Sequence, residues 1–313
     1  MKIVPILLLV LLALTGCTAK PTTTAPAVPA SLLPGDHFRH LEIDGQNRSY
    51  LVHVPLGYAP TKPTPVVLIY HGAWSDAWIM VNFCGLNQKA DSAGFVAVYP
   101  NGMGFGMMRF FNAGGAPSAK ADDVKFTAEV LDDLATVINV DAKRVYATGM
   151  SNGGMMVYRL AAELSDRIAA IAAVSGTLCI DQPNPKRPVP VIHFHGAADT
   201  IVPFNGPNGR TPRFLKFQSV DATVRTWVKL DGCPEEPKIT SLPDIAKDGT
   251  TVTRKVYGPG KDGAEVVLYV IEGGGHTWPG HEPMVGFLGK STKNISANDL
   301  IWEFFVKHPM KSP

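Results

Sequence analysis

The stretch Gly149-Met150-Ser151-Asn152-Gly153 constrains this chain more than any other, because of what stands on either side of it. Lys143-Arg144-Val145-Tyr146-Ala147-Thr148 precedes it, a β-branched and aromatic run that reads as a buried strand. Gly154-Met155-Met156-Val157-Tyr158-Arg159-Leu160-Ala161-Ala162 follows, with the composition of a helix. A serine at such a strand-to-helix turn is held clear of the sheet, and the flanking glycines let the backbone turn sharply. That placement suits a nucleophile; the competing reading is a bare glycine-rich turn.

A serine hydroxyl attacks poorly until a base takes its proton, so an imidazole and an orienting carboxylate should follow. Behind this kind of elbow the expected chain order is Ser, then Asp or Glu, then His, each in a loop after a strand. Pro190-Val191-Ile192-His193-Phe194-His195-Gly196 is a strand running into a turn, and Asp199 lies just past it. Val266-Val267-Leu268-Tyr269-Val270-Ile271 is a strand that leads into Glu272-Gly273-Gly274-Gly275-His276-Thr277-Trp278-Pro279-Gly280. The glycines of that loop can swing His276 toward Ser151. A lone Asp after a strand is ordinarily a cap, and with nine histidines one in a loop says little. The joint order selects Ser151, Asp199 and His276. His193 and His195 stand on the strand itself and suit packing or support of a site residue from behind. Asp221 and Asp231, in or beside a helical segment, are weaker acid candidates.

The tetrahedral intermediate of acyl transfer needs N–H donors for its oxyanion, one from the residue after the nucleophile and one from a loop after an early strand. Asn152 is the first. Pro65-Val66-Val67-Leu68-Ile69-Tyr70 is a strand ending in His71-Gly72-Ala73-Trp74, which makes Ala73 the second donor, with Trp74 the alternative. Trp278 follows the expected base by two residues and Trp74 follows Gly72 by two, so both indoles are expected to flank a substrate; a core tryptophan is the other reading.

Leu41 to Ile43 and Ser49 to Val54 read as an antiparallel opening hairpin turned at Asp44-Gly45. Parallel strands are expected near 65–70, 95–99, 143–148, 169–174, 190–195 and 265–271, with helices near 80–92, 152–164, 217–230 and 297–307 between or after them. A further helix runs to Ile138 from Asp122 or Asp123 as N-cap, with Phe126, Val130, Leu134 and Val137 at helical spacing. Alternating strands and helices predict a doubly wound, mostly parallel sheet with antiparallel first strands. With the elbow, this is the α/β-hydrolase fold. Residues 101–121, rich in Gly and Met, form a long loop read as a wall of the substrate pocket. Residues 232–262 read as a polar, peripheral excursion with a hairpin near 250–257. No large lid domain is expected.

Several strings resemble the polyhydroxybutyrate depolymerase-type esterases, a family that includes feruloyl and acetylxylan esterases. They are Tyr70-His71-Gly72, Ala93-Gly94-Phe95-Val96-Ala97-Val98-Tyr99-Pro100-Asn101-Gly102, Asp122-Asp123-Val124, Arg144 through Gly154, and Gly275-His276-Thr277-Trp278-Pro279-Gly280. The resemblance covers about residues 40–308. It implies a cofactor-free α/β-hydrolase with Ser151, Asp199 and His276 as its triad and the residue after Gly72 as oxyanion donor. Many relatives carry Cys where this chain has Ala73. Several relatives also pair the Cys of a Trp-x-x-x-x-Gly-Cys segment, similar to Trp227 through Cys233, with a Cys before the last core strand. Tyr257-Gly258 stands there instead.

The N-terminus addresses location. Met1-Lys2 is a positive start, residues 3–14 are apolar, and Leu14-Thr15-Gly16-Cys17 reads as a bacterial lipobox. The expectation is a signal peptide over 1–16, an acylated Cys17, a Thr/Ala/Pro-rich tether over 17–34, and a catalytic domain over 35–313. That makes an exported lipoprotein anchored to a membrane or, alternatively, a secreted one. Cys84, Cys179 and Cys233 then remain, an odd number; a Cys179–Cys233 disulfide is the expected pair. A net charge of +2 implies no nucleic-acid partner, and no Cys/His spacing suits a metal. Oligomeric state is not legible. The expected function is serine ester hydrolysis of polyhydroxyalkanoate-type polyesters. The alternatives are feruloyl or acetylxylan ester hydrolysis and, from another class, non-catalytic binding by a surface lipoprotein.

Overall fold

The structure, a computed structural model, describes residues 31–116, 120–213 and 215–311. The expected signal peptide, the lipidation of Cys17 and most of the tether lie outside the described residues.

One ten-stranded sheet runs in the order β1-β2-β4-β3-β7-β8-β9-β12-β11-β10. Its centre is six parallel strands: β4 (Val96–Pro100), β3 (Thr64–Tyr70), β7 (Val140–Met150), β8 (Ile171–Val174), β9 (Val191–Gly196) and β12 (Val266–Glu272). The hairpin β1 (Gly35–Ile43) and β2 (Gln46–Val54) adds antiparallel on one side. On the other side β11 (Thr251–Tyr257) and β10 (Lys238–Ser241) add antiparallel. The excursion is peripheral, as expected, and it extends the main sheet at its edge. Its polarity follows from its place, since β10 is exposed along its length at the sheet's edge.

Alternate residues of the central strands feed two separate cores. Val66, Leu68, Ala147, Ile171, Val191 and Leu268 face α3 (Asp123–Ala135), α4 (Asn152–Glu163) and α5 (Val220–Leu230). Val67, Ile69, Tyr146, Ala172, Ile192 and Tyr269 face α1 (Ala77–Cys84), α2 (Leu86–Ala93) and α6 (Ala297–Lys307). Burial on both faces is why these strands read as continuous apolar runs. The single helix expected near 80–92 is two. Gly85, at φ 61°, takes a left-handed conformation that ends α1 and starts α2.

The long segment after β4 carries a two-stranded ribbon, β5 (Met103–Phe105) paired with β6 (Met108–Phe110). It is held down by buried polar contacts. Asp122 caps α3 through the Lys125 N–H, as expected of an N-cap. Asp123 does more: its carboxylate pairs with the buried Arg48 guanidinium at 2.6 Å and accepts the Asn112 N–H at 2.7 Å. Arg48 also donates to the Asn101 carbonyl and stacks 3.8 Å over the Phe126 ring.

Removing one partner of a buried ion pair strands the other charge. Arg48→Met should therefore cost about 3–5 kcal/mol of folding stability, read by urea unfolding. A loss below about 1 kcal/mol, the range of a solvent-exposed pair, would contradict this role.

Candidate active site

β7 delivers Ser151 at its C-terminal end, one residue before α4 begins. Ser151 has φ 56° and ψ −119°, a conformation that costs a β-carbon residue energy and is held only where the surroundings enforce it. They do so here: the Ser151 N–H donates to the Val174 carbonyl at 2.9 Å, and its carbonyl accepts the Met155 N–H. The strained residue is thus the serine itself. Gly153 supplies space instead, since a β-carbon there would stand 2.1 Å from the Tyr70 carbonyl oxygen. Only a glycine lets α4 start this close to the end of β3.

Asp199 lies three residues past β9, with its side chain wholly buried. One carboxylate oxygen accepts the N–H groups of Ile201 and Val202 at 2.8 and 2.9 Å. The other is 2.7 Å from His276 Nδ1 and 3.5 Å from His195 Nε2. Burial pushes the Asp199 carboxyl up, but the His276 bond, the neighbouring imidazoles and the Val202 N–H outweigh it and hold it below the usual carboxylate range. With an ionised acceptor at Nδ1, His276 carries its proton there and leaves Nε2 bare, the tautomer of a general base.

Backbone hydrogen bonds tie down the His276 loop. Gly275 N–H donates to the Lys290 carbonyl and His276 N–H to the Leu288 carbonyl, at 2.9 and 2.7 Å. Trp278, expected at the substrate, is instead a core residue, 1% exposed. Its indole N–H donates to Asn298 on α6, and Asn298 donates in turn to the Cys84 carbonyl on α1. That bond draws the ring inward and pins the loop to the helical layer.

The strand β3 ends in the loop expected to supply an oxyanion donor. Gly72 abuts Ser151: a β-carbon built on Gly72 would stand 3.5 Å from the serine Cβ. The Trp74 N–H is already committed to the Arg109 carbonyl at 2.8 Å. Among the described residues no hydrogen bond from the Ala73 N–H is found. The Trp74 ring is 80% exposed. His71, not singled out for a role by sequence reasoning, orders this loop. Its Nδ1–H donates to the Gly72 carbonyl at 2.7 Å and its Nε2 accepts the Gly102 N–H at 3.0 Å. Burial pushes the His71 imidazole down to about 4, against the Gly72 bond, so the ring is neutral. Asn152 also has an unforeseen part. Its side-chain amide accepts from the Phe111 N–H and donates to the Phe111 carbonyl, tying the ribbon segment to the elbow.

Cys179 and Cys233 are both free, which corrects the expected disulfide. Cys179 lies beyond the end of β8, with its thiol on the Thr177 carbonyl, whereas Cys233 packs at the Ala264 carbonyl where β12 begins. They sit at opposite edges of the sheet. Burial pushes their thiols up to about 12 and about 11. Asp231, a weaker acid candidate, is buried away from these residues and accepts the Val189 N–H ahead of β9. The hollow of about 760 Å³ between Arg187, Ala264 and His308 also contains none of the candidate residues.

Comparison with known proteins agrees with this architecture. A family profile described as phospholipase/carboxylesterase matches residues 60–227. NocK of Nocardia uniformis subsp. tsuyamanensis, an esterase by name, is 33% identical over 288 residues, or 86% of this chain and 82% of that protein. Feruloyl esterase B of Piromyces equi is 29% identical over 240 residues, 73% of this chain, and only 42% of its own length is spanned. The acetyl xylan esterase from Aspergillus awamori shares the fold, with a TM-score of 0.59 at 16% identity over 86% of this chain and 99% of that one. A profile covering more than half the chain and a relative matched nearly end to end lead to one conclusion: the chain belongs to the phospholipase/carboxylesterase family of α/β-hydrolases and is a carboxylic ester hydrolase.

Proposed function

We propose that Ser151, His276 and Asp199 hydrolyse esters by two-step acyl transfer, on feruloyl- or acetyl-type ester groups carried by a polysaccharide. The observation that carries the chemistry is the buried 2.7 Å bond from His276 Nδ1 to Asp199, which leaves Nε2 as a base at the sheet edge where Ser151 is held in its strained turn. His276 takes the Ser151 proton as Oγ attacks the ester carbonyl carbon. The carbonyl oxygen becomes an oxyanion received by the Asn152 and Ala73 N–H groups. Collapse breaks the bond to the alkoxy oxygen, and the alcohol leaves with the proton from His276. Water then attacks the acyl-enzyme, gives its proton to His276, and the acid departs as Ser151 regains a hydrogen.

The polysaccharide-ester reading draws support from relatives whose names state feruloyl or acetylxylan esterase activity. A second reading, hydrolysis of polyhydroxyalkanoate-type polyester, is favoured by the ribbon beside the oxyanion loop. In its register Phe105 opposes Met108 and Met103 opposes Phe110, which gives the ribbon one apolar face. Phe105, Met108 and Phe110 are exposed there, and the ribbon is bonded to Trp74. Exposed apolar area of this kind suits a ligand that is itself extended and apolar.

Ser151→Ala should lower kcat for p-nitrophenyl butyrate by about a millionfold while leaving the thermal melt nearly unchanged. Retained hydrolysis would remove Ser151 as nucleophile. Incubating the purified protein with feruloylated or acetylated xylan and with polyhydroxybutyrate separates the substrates. Ferulate or acetate release supports the first reading, and 3-hydroxybutyrate alone supports the second. Asp199 is held below the ordinary carboxylate range, and burial lowers His71, His193 and His195 below the ordinary imidazole value. None of the four should gain a proton in the working range. The acid limb of log kcat/KM should therefore gain no added slope from these groups down to about pH 5.5. A slope of two in that range would contradict these assignments.

A further inference from the structure

A buried polar line behind Asp199 is not used by the acyl-transfer chemistry. β9 turns Val191, His193 and His195 toward α4 and α5, on a face where a doubly covered strand normally carries branched aliphatic residues. Tyr158 of α4 and both imidazoles are at most 1% exposed. Tyr158 Oη lies 2.7 Å from His193 Nδ1, and His193 Nε2 lies 3.0 Å from His195 Nδ1. His195 Nε2 lies 2.8 Å from the Val202 carbonyl and 3.5 Å from the Asp199 oxygen that binds His276. Trp227 stacks on Tyr158, and Phe204 meets His195 edge-on. The titratable groups facing His195 are His193 on its own strand and Asp199 and His276 from the two loops.

The direction of every bond follows from the last acceptor. A carbonyl can only accept, so His195 Nε2 carries a proton. The facing nitrogens of the two rings, 3.0 Å apart, have room for one proton between them, and burial disfavours an added charge on either ring, which leaves one proton on each. His195 Nδ1 is then bare and accepts from His193 Nε2–H. His193 Nδ1 is bare in turn and accepts the Tyr158 hydroxyl proton.

We propose that Tyr158, His193 and His195 are positioning residues that form an uncharged hydrogen-bond relay of fixed direction, holding Asp199 in place and reserving its charge for His276. The proposal rests on Asp199 being the acid of the triad. A second proton on His195 would set a cation 3.5 Å from the oxygen that His276 uses, and would compete with the imidazolium formed during acyl transfer. A neutral His195 spends its one N–H on the Val202 carbonyl and sets no charge beside Asp199. The relay also joins the loop of Asp199 to α4, the helix that begins directly after Ser151.

The test is a long-range ¹H–¹⁵N spectrum of the imidazoles of the full protein, followed from about pH 5 to about pH 8. His193 and His195 should both show the Nε2–H tautomer and should not titrate. Titration of either ring in that window, or an Nδ1–H tautomer at His195, overturns the relay. Tyr158→Phe deletes only its first donor. It should lower kcat about tenfold with KM changed less than about twofold, and allow His195 to titrate. Unchanged kcat with His195 still neutral overturns the proposal. His195→Gln, which keeps an N–H for Val202, should recover most of the kcat lost in His195→Leu; equal losses contradict a positioning role. The tautomers are read without any substrate, so failure of the relay is distinguishable from failure of the Ser151 assignment, which Ser151→Ala reports.

Discussion

A carboxylate with no access to water costs several kcal/mol unless its lone pairs are met, and the side chain of Asp199 has none. The active edge of this molecule is organised around meeting that cost. Two backbone N–H groups of the turn that follows satisfy one oxygen, so the loop after β9 is wrapped on its own acid. His276 satisfies the other, which fixes the imidazole's tautomer and its position. His195 Nε2 stands 3.5 Å behind the same oxygen, with its proton given to the Val202 carbonyl. An aspartate in water would need none of these partners and would orient nothing.

The Ser151 side is organised differently, by close backbone approach. α4 begins so near the end of β3 that a side chain at position 153 would meet the Tyr70 carbonyl, and the turn between passes its strain to Ser151. The loop after β3 is fixed beside it by His71, whose neutral ring binds Gly72 on one side and Gly102 on the other. Asn152 binds Phe111, and Arg48 with Asp123 anchors the same segment from below. The result is a rigid base under an exposed apolar ribbon.

Much of this was legible in the chain because it is local. Doubly buried strands read as apolar runs, the hairpin turn carries Asp44-Gly45, and the elbow is contiguous from Arg144 to Leu160. Asp199 and His276 could be singled out because each follows its own strand. What escaped depends on partners distant in sequence. Nothing near Trp278 announces that Asn298 will take its indole N–H and draw it into the core. Cys179 and Cys233 lie in similar irregular segments, yet only the parallel direction of β8 and β12 puts them at opposite edges. The polar residues of β10 resemble a loop, because an edge strand need bury little. His193 and His195 were visible as alternating strand residues, but the line they form needs Tyr158 from a helix 35 positions earlier.

The central claim is that a hydroxyl, an imidazole and a carboxylate act as one unit. Fluorophosphonate trapping tests it most directly, with the adduct located by peptide mass spectrometry and its rate measured in the wild-type chain and in His276→Gln. The account predicts an adduct on the peptide bearing Ser151, forming at least about a thousandfold more slowly once the base is gone. An adduct at another residue, or one that forms as fast without His276, would contradict it.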